Sequence, residues 1–204
     1  STHSGTIDGA ADNEGDLNVI TGATNAITFA NNIGATQDLA VINIGTAVTA
    51  GNAAFTGSVD ALAITVNAVE GDSSADFNGA LVIGASDLTL DGGDGAGEDA
   101  LVTIAGNVTV ESGTSDIFLD NNTGTATVTF DGTSAQQIDA RIDGVGSAEG
   151  TVNINNANGV TFEAKIGEQQ DIAAIVVGSV DGSNSIANLT DDSGATAWTL
   201  GNGV

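Results

Sequence analysis

Short runs of alternating apolar and polar residues recur along this chain. DLNVI (16–20), AITFA (26–30), LAVINIG (39–45), ALAITVN (61–67), DLTL (87–90), LVTIAGNVTVE (101–111), DIFLD (116–120), TATVTFD (125–131), GTVNIN (150–155), GVTFEA (159–164) and IAAIVVG (172–178) each read as a β-strand. Turn pairs lie between them. Asp-Gly stands at 8–9, 131–132, 143–144 and 181–182, Asn-Gly at 78–79 and 158–159, and DGG at 91–93. Helix signals are weak, because Thr, Asn, Gly and β-branched residues dominate. The pattern predicts one all-β domain over residues 1–204, with no linker inside it. The expected architecture is a β-sandwich with an open or swapped edge strand. A parallel β-solenoid is the alternative, favoured by the richness in Gly, Asn and Asp and by the recurring Phe.

The strand pattern is also duplicated. TIDGAADNEGDLNVITGATNAITFANNIGATQDLAVINIG (6–45) aligns with RIDGVGSAEGTVNINNANGVTFEAKIGEQQDIAAIVVG (141–178). The offset is 135 up to Asn18/Asn153 and 133 from Thr28/Thr161 onward. Asp8-Gly9, Glu14-Gly15 and Asn18 match Asp143-Gly144, Glu149-Gly150 and Asn153. Phe29, Ile33-Gly34 and Gly45 match Phe162, Ile166-Gly167 and Gly178. IGASDLTL (83–90) is a fainter echo.

The tail joins this pattern. GATAWTLGNG (194–203) resembles GTATVTFDGT (124–133), which sets Trp198 on Val128 and Leu200 on Phe130. Ser1 corresponds to Gln136, so one chain's tail and the next chain's head read as a single further repeat start. The expectation is head-to-tail assembly, in which the C-terminal strand with Thr196, Trp198 and Leu200 completes a neighbour's sheet. Trp198 would then be the large apolar plug of the junction. Two other readings stand beside it: an excised segment of a longer tandem array, for which opening on Ser1 also speaks, and a tail paired within its own fold with Trp198 as a core anchor.

Composition narrows the chemistry. Hydrophobic residues make up 41% of the chain but aromatics only 3%, so the core rests on Ala, Val, Ile and Leu. Against 27 Asp and Glu stand 2 cations, Arg141 and Lys165, for a net charge of −25. Nucleic acid is excluded as a partner, since phosphate binding needs basic patches. Self-repulsion on this scale favours bound divalent cations, calcium first. Cysteine is absent, so disulfides and thiolate sites are excluded. No apolar run approaches the roughly 20 residues that span a bilayer.

Candidate sites follow from the acidic turns. LDGGDGAGED (90–99) crowds Asp91, Asp94, Glu98 and Asp99 among glycines, the mixture of carboxylates and free carbonyls that calcium takes. It meets the GGxGxD repeat pattern only in part, because Gly97 stands at the Asp position. A solvated acidic turn is the plainer account. Asp8 with Glu14 and Asp143 with Glu149 form a duplicated pair that could hold one ion per copy, or simply build Asp-Gly corners. LDNNTG (119–124) and TDDSG (190–194) are weaker versions. Asn107, Asn121 and Asn188 lie in N-x-S/T sequons, which are frequent by chance in Thr- and Asn-rich chains.

Catalytic signatures are lacking. His3 is the single histidine, there is no nucleophile elbow or thiol, and the few aromatics argue against a sugar-cleaving cleft. The expectation is a protein that is not an enzyme. The phrases TVTFDGTSAQQI, GTVNINNANGVTF and IGATQDLAVINIG resemble the repeats of bacterial autotransporter passengers, S-layer proteins and repeat adhesins, over about 5–45 and 124–180. That resemblance implies an extracellular, cell-surface location, all-β structure, calcium dependence and a structural or adhesive role. The expected function is an extracellular subunit of a filament, sheath or surface layer. The alternative is a segment of a calcium-dependent adhesin or carbohydrate-binding surface protein.

Overall fold

A computed structural model describes residues 1–178, 185–190 and 193–200. The 181–182 turn, part of TDDSG and the last residues of the 194–203 match lie outside them. The described residues hold twenty strands and no helix. In chain order these are β1 (Thr2–His3), β2 (Asp16–Val19), β3 (Ile27–Phe29), β4 (Leu39–Ile44), β5 (Asn52–Phe55), β6 (Val59–Asn67), β7 (Ser73–Phe77), β8 (Leu81–Ile83), β9 (Leu88–Asp91) and β10 (Ala100–Ile104). They continue as β11 (Val108–Val110), β12 (Asp116–Asp120), β13 (Ala126–Phe130), β14 (Gln136–Ile138), β15 (Arg141–Gly144), β16 (Glu149–Ile154), β17 (Val160–Phe162), β18 (Ile172–Val177), β19 (Ala187–Leu189) and β20 (Ala195–Leu200).

Every pairing between these strands is parallel, and the chain winds as a β-solenoid. This corrects the sandwich expectation and bears out the solenoid alternative. Parallel neighbours cannot be joined by a tight hairpin. Here each returns only after the chain has passed through the other strands of its coil. The Asp-Gly pair at 143–144, expected as a hairpin corner, ends the parallel strand β15 instead.

Three ladders run the length of the coil. The first is a nine-stranded sheet, β1-β3-β5-β7-β10-β13-β16-β18-β20. The second sheet splits into two ladders at the long strand β6, whose start pairs with β8 and whose end pairs with β9. The second ladder therefore runs through β6, β8, β11, β14, β17 and β19, and the third through β2, β4, β6, β9, β12 and β15. Bridges from Ile142 to Ile166 to Ser193 extend the third, and bridges from Ile7 to Ile33 to Val59 extend the second.

One outward column of the first ladder reads Thr2, Thr28, Ala54, Asp76, Thr103, Thr129, Asn153, Val176 and Thr199, so a coil takes 22 to 27 residues. Strand alternation turns every second residue inward. The inward column beside it reads Phe29, Phe55, Phe77, Ile104, Phe130, Ile154 and Val177. Phe29, Phe55 and Phe77 stack with centroids 5.0 Å apart at each step, and Phe130 meets Phe162 edge-on at 5.3 Å. The core is one continuous cluster of Val, Ile, Leu, Ala and Phe along the coil.

Coil geometry explains the duplicated glycines. Gly34 (φ 72°) and Gly167 (φ 71°) stand at equivalent positions of the two copies. A Cβ on either would lie 2.0 Å from a carbonyl oxygen of the next coil, that of Asp60 or that of Gly194. Only glycine allows both the left-handed backbone and that approach.

The two copies nevertheless occupy different ladders. β2, β3 and β4 lie in the third, first and third ladders, whereas their counterparts β16, β17 and β18 lie in the first, second and first. The offset between copies thus amounts to five whole coils plus one ladder. A similar stretch of sequence serves on any side of the coil, because each side needs the same two things: an alternating strand and a tight corner.

Candidate functional site

The two ends of the solenoid are its most distinctive surfaces. Among the described residues, β1 pairs only with β3 and β2 only with β4 at the N-terminal end, and β19 pairs only with β17 and β20 only with β18 at the C-terminal end. Each end strand therefore presents an unpaired row of backbone donors and acceptors. The C-terminal end is apolar. Trp198 continues the inward column of Val128, Val152 and Ile175, and Leu200 continues the phenylalanine column. Both face the core, yet Trp198 is 45% and Leu200 68% exposed. With Val177, Ile186 and Ala187 they line a groove of about 290 Å³. Thr196 ties the strand down through a 2.5 Å hydrogen bond from its hydroxyl to the Ala173 carbonyl. The N-terminal end carries exposed Asp8, Asp12, Glu14 and Asp16 around the apolar Leu17, Val19 and Ile20.

The expected acidic sites serve the corners of the coil. Asp91 accepts from Asn67 Nδ2 at 3.1 Å and from Asn122 Nδ2 at 2.9 Å. Burial pushes its carboxyl up, against the pull of Asn122. Glu98 accepts from the Gly95 amide at 2.6 Å, and Asp99 from the amide and hydroxyl of Thr125. Asp94 is exposed. Asp8 accepts from the Thr36 amide at 3.0 Å, and its counterpart Asp143 from the Gln169 amide at 2.9 Å, so each fastens the next coil's turn. Glu149 caps its own turn by accepting from Gly146, while Glu14 is exposed. In the sequons, Asn107 accepts from the Gln137 amide, Asn121 from the Ala126 and Gly150 amides, and Asn188 Nδ2 reaches Thr161 Oγ1 at 3.3 Å.

Among the described residues one trio of carboxylates, Asp38, Asp60 and Glu111, brings ligand oxygens within 4.8 Å of one another. This is the donor spacing a hard cation such as calcium takes. Burial first, then the neighbouring charges of Asp38 and Glu111, push Asp60 up to about 6. Sequence reading missed the trio because its members belong to three different coils, Asp38 one coil before Asp60 and Glu111 two coils after it. Only the register, in which Asp60 pairs with Val82 and Val82 with Thr109, brings them together.

The two cations of the chain share one corner. Arg141 binds Asp116 through Nε and Nη2 at 2.7 and 2.8 Å and reaches Glu168 at 3.3 Å; Lys165 reaches Glu168 at 3.0 Å. Asp116 and Asp143 are both buried. Burial pushes the Asp116 carboxyl up, and Arg141 pulls it down. Lys165, and then Arg141, hold Glu168 below the usual carboxylate range. Without that guanidinium a buried carboxylate pair would face uncompensated charge, so this corner is structural.

No protein-family model matches the chain, and neither a curated protein nor a solved structure is similar to it.

Proposed function

We propose that this chain is an extracellular, non-enzymatic structural protein whose solenoids add head to tail into a filament, sheath or surface layer. The observation that carries the reading is the open C-terminal strand β20, whose core-facing Trp198 and Leu200 lie exposed at the end of three parallel ladders. The strands of each ladder run in one direction. A second copy added at that end prolongs the ladders in the same sense, satisfying the free backbone groups and covering the apolar columns. The contact is heterologous and does not close, which is the geometry of a fibre. The likeness of its repeats to those of bacterial surface proteins supports a place outside the cell. The high negative charge of the chain makes assembly dependent on counter-ions, with calcium as the proposed partner.

Removal of residues 194–204 tests this reading. The full chain should form extended particles under negative-stain electron microscopy in calcium-containing buffer. The shortened chain should remain monomeric while keeping its β-rich circular dichroism. Polymers of the same width and length from both chains would overturn the proposal.

A further inference from the structure

We infer that each subunit meets the next one ladder out of phase, about a third of a turn around the solenoid axis, with the neighbour's β2 laid on β20. The inference rests on the head-to-tail reading above and specifies its junction.

The chain contains its own template for that junction. β20 matches β13 in pattern, with Thr199 on Thr129 and the apolar Trp198 and Leu200 on Val128 and Phe130, and both strands lie in the first ladder. Inside the chain, the strand added next to β13 is β16, with Thr127 opposite Thr151, Val128 opposite Val152, Thr129 opposite Asn153 and Phe130 opposite Ile154. The counterpart of β16 in the first copy is β2. Transferring the register places Ala197 opposite Asp16, Trp198 opposite Leu17, Thr199 opposite Asn18 and Leu200 opposite Val19 of the second copy. Within its own subunit, however, β2 belongs to the third ladder.

The other two ladders give the same displacement. β11 hands on to β14 with Val108 opposite Ile138, and the counterpart of Ile138 is His3, in the first ladder. Ile117 of the third ladder hands on to Ile142, and the counterpart of Ile142 is Ile7, which bridges to the second. All three ladders therefore move by one place in one direction under the same alignment.

Side-chain chemistry favours this arrangement over an unshifted one. In the shifted junction the inward Leu17 and Val19 cover Trp198 and Leu200. An unshifted neighbour would continue the first ladder with β1, a strand of two residues. Its Thr2 would stand opposite Thr199 and its His3 opposite Leu200, leaving the polar Ser1 against Trp198.

Cysteine is absent from the chain, so single cysteines provide clean probes. Thr199, Asn18 and Thr2 all point outward and are exposed. Thr199→Cys chains are mixed in equal amounts with Asn18→Cys chains, or separately with Thr2→Cys chains, under assembling conditions. A short bis-maleimide linker, which adds one cysteine thiol at each end, is then introduced, and light scattering records the assembly state. The inference predicts covalent mixed dimers in the Thr199→Cys/Asn18→Cys mixture and none in the Thr199→Cys/Thr2→Cys mixture. Dimers only in the second mixture would overturn the displacement while leaving head-to-tail assembly standing. Polymers that cross-link in neither mixture would overturn this junction. A chain that stays monomeric throughout would overturn the assembly reading and the inference with it.

Discussion

The two copies of the duplicated sequence are a controlled comparison made by the molecule itself. The copy at 141–178 lies inside the coil, between β12 below and β20 above; the copy at 6–45 lies at the open N-terminal end. Asp143 is fully buried, whereas Asp8 is exposed, although both fasten the next coil's turn in the same way. Position 141 carries Arg against Asp116 one coil below it; its counterpart Thr6 has no such partner among the described residues. Sequence therefore sets the shape of each strand and corner, and the coil beneath sets burial and charge pairing.

The sharpest way to test the contrast is at the ion pair. Arg141→Ala leaves Asp116 buried beside Asp143 without its guanidinium and should cost about 3–5 kcal/mol in denaturant unfolding. Thr6→Ala should stay within about 0.5 kcal/mol. Equal effects would mean that the inner and outer copies do not differ in the way described.

At the opposite end, Trp198→Ala should barely change the melting of the monomer. It should weaken subunit association by about 2 kcal/mol, roughly thirtyfold, because the exposed part of the indole is covered by the junction. Sedimentation velocity over a concentration series reads both species.

Electrostatics comes next. Folded Asp60 keeps its proton up to about pH 6, against 3.8 for the ordinary side chain. Folding therefore takes up a proton between these values, and this site's contribution to stability falls as pH rises from about 4 to about 6. After allowance for solvent screening the change is about 1–2 kcal/mol. Asp60→Asn should remove that slope and raise the melting temperature at pH 7. An unchanged pH profile would show that the trio is not under strain.

The smallest effect lies in one corner. Asn13 and its counterpart Ala148 both adopt left-handed backbone, φ 61° and 62°. Asn tolerates this region better than Ala. Giving the inner copy the outer copy's residue, Ala148→Asn, should stabilise by about 1 kcal/mol. A loss of stability would point to crowding in the inner corner instead.

Much of the fold was legible in the sequence. Runs such as LAVINIG, DIFLD and TATVTFD fall on β4, β12 and β13. β5 (NAAF) and β7 (SSADF) were missed, because alanine and serine carry little strand signal. They are strands because their inward Ala53, Phe55, Ala75 and Phe77 complete columns begun in neighbouring coils. The sandwich expectation failed for a related reason. Alternation reports one buried face and is silent on whether the neighbouring strand runs parallel. The direction lay in the coil period, which varies from 22 to 27 residues and so hides from inspection. The acidic trio needed that same period. The corner carboxylates could be found by residue type, but their partners, Thr36, Thr125 and Gln169, sit in adjacent coils or across the corner.

The central question is whether these solenoids stack. Negative-stain microscopy of the purified full chain in calcium-containing buffer, across a concentration series, addresses this most directly. It should show unbranched particles one solenoid wide that lengthen with concentration. Uniform single solenoids at every concentration would contradict it.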